Sequence, residues 1–292
     1  MDFISVKEVA KKWNISERSV RNYCENNRID GAFLKGKTWY IPSNAIKPSR
    51  KTARMLLDVL KDEKERKYSG GIYHKTQIEL TYNSNHIEGS KLTHEETRYI
   101  YETNTIGIGN KAISVNDIIE TVNHFRCIDY IIDNAEKKLS ESMIKEIHKI
   151  LKSGSLYQYR YSFRIGEYKA LSNEVGGRET TLPENVDKEM KELLSSYNSK
   201  KKKSLFDIID FHVKFERIHP FQDGNGRVGR LIMFKECLKN NIIPVIITDE
   251  IKMFYYRGLN EWGKINEYLL DAILTAQDIF KSYLNYFQIP LK

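Results

Sequence analysis

The sequence predicts a mainly α protein: a helical body interrupted by one β-hairpin and preceded by a small winged helix-turn-helix domain. Three observations carry that expectation. Apolar residues recur at 3.6-residue spacing in nine segments beyond residue 53. One interval, 163–183, is instead rich in glycine and β-favouring residues. The first 48 residues fit two short capped helices followed by two strands.

Taken in order, Ser5 is placed to cap a helix whose apolar positions are Val6, Val9, Ala10 and Trp13. Asn14-Ile15 makes a turn, and Ser16 caps a second helix through Val20 and Tyr23, with Arg18, Arg21 and Asn22 on its polar side. Phe33 to Pro42 then reads as two strands around a Lys35-Gly36-Lys37 turn, a small wing. This pattern over residues 1–48 resembles the excisionase and MerR-like winged helix-turn-helix group. It implies DNA contact by Arg18, Arg21, Asn22, Lys35 and Lys37, mostly to phosphates; a helical protein-docking module is the alternative. Residues 49–72 read as linker and helix, starting at Pro48-Ser49-Arg50-Lys51, and residues 73–292 as the helical body. Its apolar periodicity marks helices at 54–68, 73–88, 94–103, 115–134, 140–152, 185–198, 204–218, 228–239 and 265–286. The Lys200–Lys203 run between two of them reads as a solvated loop.

Composition narrows the function classes. A chain of 292 residues affords about two domains, and 40% hydrophobic with 29% charged residues is an ordinary soluble balance. The three cysteines, Cys24, Cys127 and Cys237, are far apart and lack CxxC spacing, which argues against a disulfide framework or a zinc cluster. The N-terminus carries no basic-then-apolar signal pattern, and no apolar run approaches the roughly 18 residues of a membrane span, so a reducing, cytoplasmic setting is expected. The formal charge of +8 is uneven: residues 1–52 hold eleven Lys or Arg against five Asp or Glu, a local +6, and the remainder carries +2. A basic first fifth points to an anionic partner there.

The chemistry concentrates in His219-Pro220-Phe221-Gln222-Asp223-Gly224-Asn225-Gly226-Arg227-Val228-Gly229-Arg230. A helix ending near Ile218 gives way to a loop with one imidazole and one carboxylate, then to a helix starting near Arg227. Two glycines let an anion approach the backbone N–H groups of that helix N-terminus, and two arginines add bidentate phosphate binding. Asp223 beside such a cradle suits Mg²⁺ bridging phosphates, and His219 is the side chain there fitted to general-base work. The set implies phosphoryl or nucleotidyl transfer, without a Walker A pattern or a kinase motif set. The other histidines, His74, His86, His94, His124, His148 and His212, show no metal-ligand spacing, and structural roles are expected for them.

Position for position, this stretch resembles the signature of the Fic family, HPFx(D/E)GNGRxxR, and the likeness extends over residues 55–285 to include Glu120, Asn123 and the helix from Leu139 to Leu151. The resemblance implies a Fic-type helical core that transfers AMP from ATP to a protein hydroxyl, on another protein or on itself, and releases pyrophosphate. It implies that His219 deprotonates the hydroxyl, Phe221 anchors the loop, and Asp223 binds Mg²⁺. Gly224, Asn225 and Gly226 would hold the α- and β-phosphates, with Arg227 and Arg230 on the β- and γ-phosphates. Family members that transfer phosphate instead carry Lys at the position of Gly226, so adenylylation is favoured, with UMP or phosphocholine transfer left open.

Three further features carry over. Ser84-Asn85-His86-Ile87-Glu88-Gly89, at the end of the 73–89 segment, resembles the family's inhibitory pattern (S/T)xxxE(G/N). Ser84 and Glu88 share a helical face, Gly89 suits a left-handed helix end, and Glu88 would pair with Arg230 in competition with the γ-phosphate. The 163–183 hairpin takes the place of the family's flap, with Val175, Gly176, Gly177, Arg178, Thr180, Thr181, Leu182 and Pro183 facing nucleotide or target. Tyr255, Tyr256 and Asn260 resemble the adenine-side segment, against half-buried packing as the alternative for the tyrosines. Removal of AMP by way of Glu88, or a DNA-binding regulator with a nucleotide-sensing core, are the competing functions, and a homodimer is compatible with either.

Overall fold

In a computed structural model, residues 2–25, 28–48, 55–107, 112–156 and 163–290 are described; the expected linker residues 49–54 lie outside them. The chain divides into two compact units, Met1–Thr52 and Ala53–Lys292.

The first unit runs β1 (Phe3–Ile4), α1 (Val6–Trp13), α2 (Glu17–Glu25), β2 (Phe33–Lys35) and β3 (Thr38–Pro42). Ser5 and Glu8 form a reciprocal capping box at the start of α1, and Asn14 ends it in the left-handed region at φ 51°. The strands form an antiparallel sheet in the order β1-β3-β2, with Lys35 opposite Thr38 across the Gly36 turn. β1 has no counterpart in the sequence reading, because two residues are too short to show a period. Val6, Val9, Ala10, Trp13, Val20, Cys24, Ile29 and Ile41 close a core of their own.

The second unit holds ten helices among the described residues, with one hairpin: α3 (Leu56–Glu65), α4 (Ile72–Ile87), α5 (His94–Thr103), α6 (Val115–Asn134), α7 (Glu141–Lys152), β4 (Glu174–Val175), β5 (Arg178–Glu179), α8 (Pro183–Ser199), α9 (Leu205–Ile218), α10 (Asn225–Lys239), α11 (Asp249–Glu261) and α12 (Glu267–Tyr286). Side-chain caps by Thr93, Ser114, Ser140 and Ser204 start four of these helices, and Pro183 opens α8 at a position where its missing N–H costs nothing. α10 sits at the centre, packed by α3, α4, α6, α7 and α9. It is buried almost all round, as a central helix must be, and its charged residues find partners: Lys235 Nζ donates to the Glu236 carboxylate at 2.6 Å, and Tyr197 Oη donates to the same carboxylate at 2.8 Å. α3 buries Leu57 and Leu60 in the main core, so it is part of this unit and not a linker. The hairpin is much shorter than the 163–183 expectation: two residues pair on each side, with Gly176 and Gly177 at φ 59° and 74° in the turn.

Candidate active site

The loop between α9 and α10 is built around Phe221. Its ring is fully buried and stacks on His148 of α7, with centroids 3.9 Å apart and planes 6° apart. Burying a side chain of that size contributes roughly 2–3 kcal/mol, enough to fix the loop's depth in the core. Asn225 then clamps the bend: Phe221 N–H donates to Asn225 Oδ1 and Asn225 Nδ2 donates back to the Phe221 carbonyl, both at 2.8 Å. Both the oxygen and the nitrogen of that amide are engaged inside the loop, which fixes the side chain as a clamp. His148 accepts from Gly166 N–H at Nδ1 (2.9 Å), which leaves its Nε2–H to donate to the Asp223 carbonyl (3.1 Å). Burial holds its pKa down at about 3, so it stays neutral as a brace.

His219 ends α9 in the left-handed region at φ 52°, its N–H donating to the Phe215 carbonyl. Its Nδ1 lies 3.3 Å from the Glu216 carbonyl, a donor position that leaves the Nε2 lone pair uncommitted. Burial, with the positive charge of Lys169 nearby, lowers its pKa to about 4; the ring is a neutral base at pH 7.

Past His219 lies a buried charge array that local spacing does not reveal. Lys152, at the end of α7, bridges Glu120 of α6 (2.7 Å) and Asp223; Glu120 in turn pairs with Arg227. Burial alone would raise the Asp223 carboxyl, but Lys152 and Arg227 hold it below its ordinary value. Asp223 keeps 39% of its side chain exposed and lines a polar cleft of about 180 Å³ with Asn85, Glu88, Glu120 and Arg227. Among the described residues no cluster of three or more metal-ligating side chains is present. Gly224, at φ 85°, precedes α10, and the N–H groups of 225–227 have no intrahelical acceptor.

α4 ends where the sequence places it. Glu88 caps the helix C-terminus and Gly89 follows at φ 95°. Arg230 is held from three sides: Nε donates to Ser84 Oγ (3.0 Å), and Nη2 donates to the Ser84 carbonyl (2.9 Å) and to Glu88 Oε1 (2.7 Å). Burial would raise the Glu88 carboxyl, yet Arg230 and Arg227 hold it low, so it is ionised. A β-carbon on Gly226 would collide with that carboxylate, which therefore rests directly over the first turn of α10.

Other expected residues fare differently. Tyr255 is 1% exposed and sits in a core cluster, its hydroxyl 2.6 Å from His212 Nε2; stacking on a base would require opening that core, so the expectation fails for it. Tyr256 is half-buried and Asn260 exposed, one turn apart on α11. Of the flap residues, Val175, Gly176, Gly177 and Arg178 are exposed, but Thr180 and Thr181 turn inward: Thr180 Oγ1 donates to Asn173 (2.5 Å) and Thr181 Oγ1 to Glu189 (2.7 Å). In the first unit Arg18, Lys35 and Lys37 are exposed, while Arg21 pairs with Glu17 at 2.8 Å. Lys152, Lys169 and Glu216 have no counterpart in the sequence reading. Glu216 is half-buried, with Oε1 enclosed, and burial pushes its carboxyl up to about 8.

Residues 138–237 match the Fic/DOC family model. The chain is 26% identical over 209 residues to the protein adenylyltransferase Fic of Nematostella vectensis, covering 70% of this chain and 48% of that protein. It is 29% identical over 183 residues to the protein of the same name from Aedes aegypti, covering 61% of this chain and 36% of that one. The chain thus spans half or less of the length of these two relatives. Its fold is shared with a Fic domain-containing signaling protein from Bacteroides thetaiotaomicron (TM-score 0.63, 22% identity, 78% of this chain and 94% of that). A Fic family protein from Desulfovibrio desulfuricans is similar as well (TM-score 0.61, 21% identity, 79% and 72% covered).

Proposed function

We propose, from the match of residues 138–237 to the Fic/DOC family model, that the chain is an autoinhibited protein adenylyltransferase, moving AMP from ATP to a Ser, Thr or Tyr hydroxyl of a protein, itself included. One observation carries the reading: an ionised Glu88 carboxylate rests over the first turn of α10, bonded to the buried Arg230, beside a polar cleft that Glu88 lines with Asp223 and Arg227, and the loop leading into that turn begins at the neutral imidazole of His219. A carboxylate and a phosphate ask for the same donors.

In this reading His219 Nε2 takes the proton of the acceptor hydroxyl as its oxygen bonds to the α-phosphorus. The bond from that phosphorus to the bridging oxygen breaks, and pyrophosphate leaves. The N–H groups of 225–227 hold phosphate oxygens, Arg227 and Arg230 engage the β- and γ-phosphates, and Tyr256 with Asn260 border the base. The donor set fits Mg²⁺, which takes one or two carboxylates and completes its shell with phosphate oxygens and water: Asp223 is ionised and open to the cleft. Bound there, Mg²⁺ would neutralise charge on the phosphates. Glu88 withholds Arg230 from the γ-phosphate until its carboxylate moves.

The test is incubation of wild type and Glu88→Gly with each labelled nucleoside triphosphate, followed by mass spectrometry. AMP on hydroxyl side chains, stronger in the variant, is expected; no nucleotide on either protein refutes the reading.

For residues 1–52 we propose contact with duplex DNA phosphates through Arg18, Arg21, Asn22, Lys35 and Lys37, supported by the local +6 charge. Four neutralised phosphates predict a slope of about −3.6 in log affinity against log salt. No mobility shift at low salt removes this role. The free, buried cysteines Cys24, Cys127 and Cys237 support a reducing, cytoplasmic setting as part of the same proposal.

A further inference from the structure

The β4–β5 hairpin presents a physical problem. Two residues pair on each side, all four are exposed, and a free two-stranded hairpin is marginal in water. What fixes it lies just beneath. Lys169 is 4% exposed, and its ammonium donates to Asn173 Oδ1 (2.7 Å), the residue just before β4, and to Thr180 Oγ1 (2.6 Å), the residue just after β5. A third bond, at 3.3 Å, reaches the carbonyl of Ile218, the residue before His219. The backbone N–H of Lys169 donates to the carbonyl of Pro220, the residue after it, at 2.8 Å. Asn173 Nδ2 adds a bond to the Phe221 carbonyl at 3.1 Å, and Thr180 Oγ1 closes the ring on Asn173 Oδ1. The stem of the flap is therefore tied to three carbonyls that flank the imidazole.

Among the described residues no carboxylate lies within ion-pair distance of Lys169. A buried ammonium satisfied only by neutral oxygens is costly, and an apolar side chain of similar length would fill the same space. The charge and its three directed donors are what such a side chain lacks. We propose that Lys169 is a positioning residue, locking the flap to the His219 loop so that an acceptor strand paired with β4 or β5 delivers its hydroxyl to His219 at a fixed register. The lock deepens the transferase reading and rests on it for its role toward the acceptor, but its existence does not.

Two measurements separate these. In the Glu88→Gly background, hydrogen exchange at amides 171–181 should rise at least tenfold in Lys169→Met, with exchange in α10 unchanged. With a full-length His219→Ala copy as acceptor and labelled ATP, Lys169→Met should raise the acceptor KM about tenfold and leave ATP affinity within twofold. Asn173→Ala should do the same, and the double variant should be no worse than either single one, because both cut one network. Unchanged exchange in 171–181 overturns the lock. Raised exchange with an unchanged acceptor KM overturns its positioning role, and loss of ATP binding together with a collapsed Tm overturns it in favour of a purely structural lysine. If Glu88→Gly itself transfers nothing, the transferase reading fails while exchange still decides the lock.

Discussion

The two flanks of the His219 loop are closed by opposite means. On the α4 side a guanidinium and a carboxylate meet at 2.7 Å over the first turn of α10, an interaction between full charges. On the flap side the contacts are neutral carbonyls, an amide and a hydroxyl gathered round one buried ammonium. A charge pair can be displaced by another anion, so the α4 flank suits control by competition. The ammonium on the flap side has no carboxylate to exchange, and its acceptors belong to the loops that it joins, which suits fixed geometry. On the proposed transferase reading, the difference gives regulation to one flank and acceptor alignment to the other.

Three further changes press on that contrast. The largest effect is expected from His219→Ala, which removes the proposed base between the two flanks: transfer from labelled ATP should fall about 10²–10⁴-fold in the Glu88→Gly background, and labelling at the parent rate would show that the imidazole is not the base. Next comes Glu88→Gly alone. A charge-assisted hydrogen bond is worth roughly 1.5–3 kcal/mol, so freeing Arg230 should raise self-labelling about ten- to a hundredfold. The same change leaves a buried guanidinium without its carboxylate, and Tm without nucleotide should fall and recover with MgATP more than in wild type. Equal labelling would make the two flanks alike. The smallest change is global and directional. His124, His148 and His212 are held at about 3 by burial, well below the ordinary 6.5. The unfolded chain binds the protons that these rings refuse when folded, so stability should decline as pH drops from about 6.5 toward 3. A denaturant midpoint that is flat over that window would contradict the buried, neutral assignment.

How much of this was legible beforehand depended on whether the information was local. Helix α10, its glycine entry and the end of α9 at Ile218 follow from one short stretch of apolar spacing and turn residues, and so does the left-handed Gly89 after α4. The pairing of Glu88 with Arg230 across 142 positions was reached through a family resemblance, since nothing local connects the two. Lys152 and Lys169 are invisible in the sequence because the contacts that tie them to the His219 loop are distant: Lys152 meets Asp223 71 positions away and Lys169 reaches Ile218 49 positions away, and a lysine on an amphipathic helix or in a loop reads as solvated. Tyr255 failed because neighbouring tyrosines on one helix point in different directions, and only the packing of α9 and α10 decides which of them is enclosed. The flap was overdrawn because glycine and β-branched composition marks where pairing is permitted, not how far it runs.

α4 also determines how such a brake could be released. Ile72, Ile78, Leu80 and Ile87 are sunk into the same helical body that supports His219, so the segment is no detachable peg. Pulling it out would expose the centre of the molecule and undo the support of the proposed active site. Relief must come instead from a motion confined to its final turn, where Gly89 tolerates many backbone angles and the Glu88 side chain needs to rotate only far enough to clear the glycine beneath it. Small signals acting near residue 88 would therefore suffice to throw it, whereas truncation from the N-terminal side would be lethal to the fold before it was liberating.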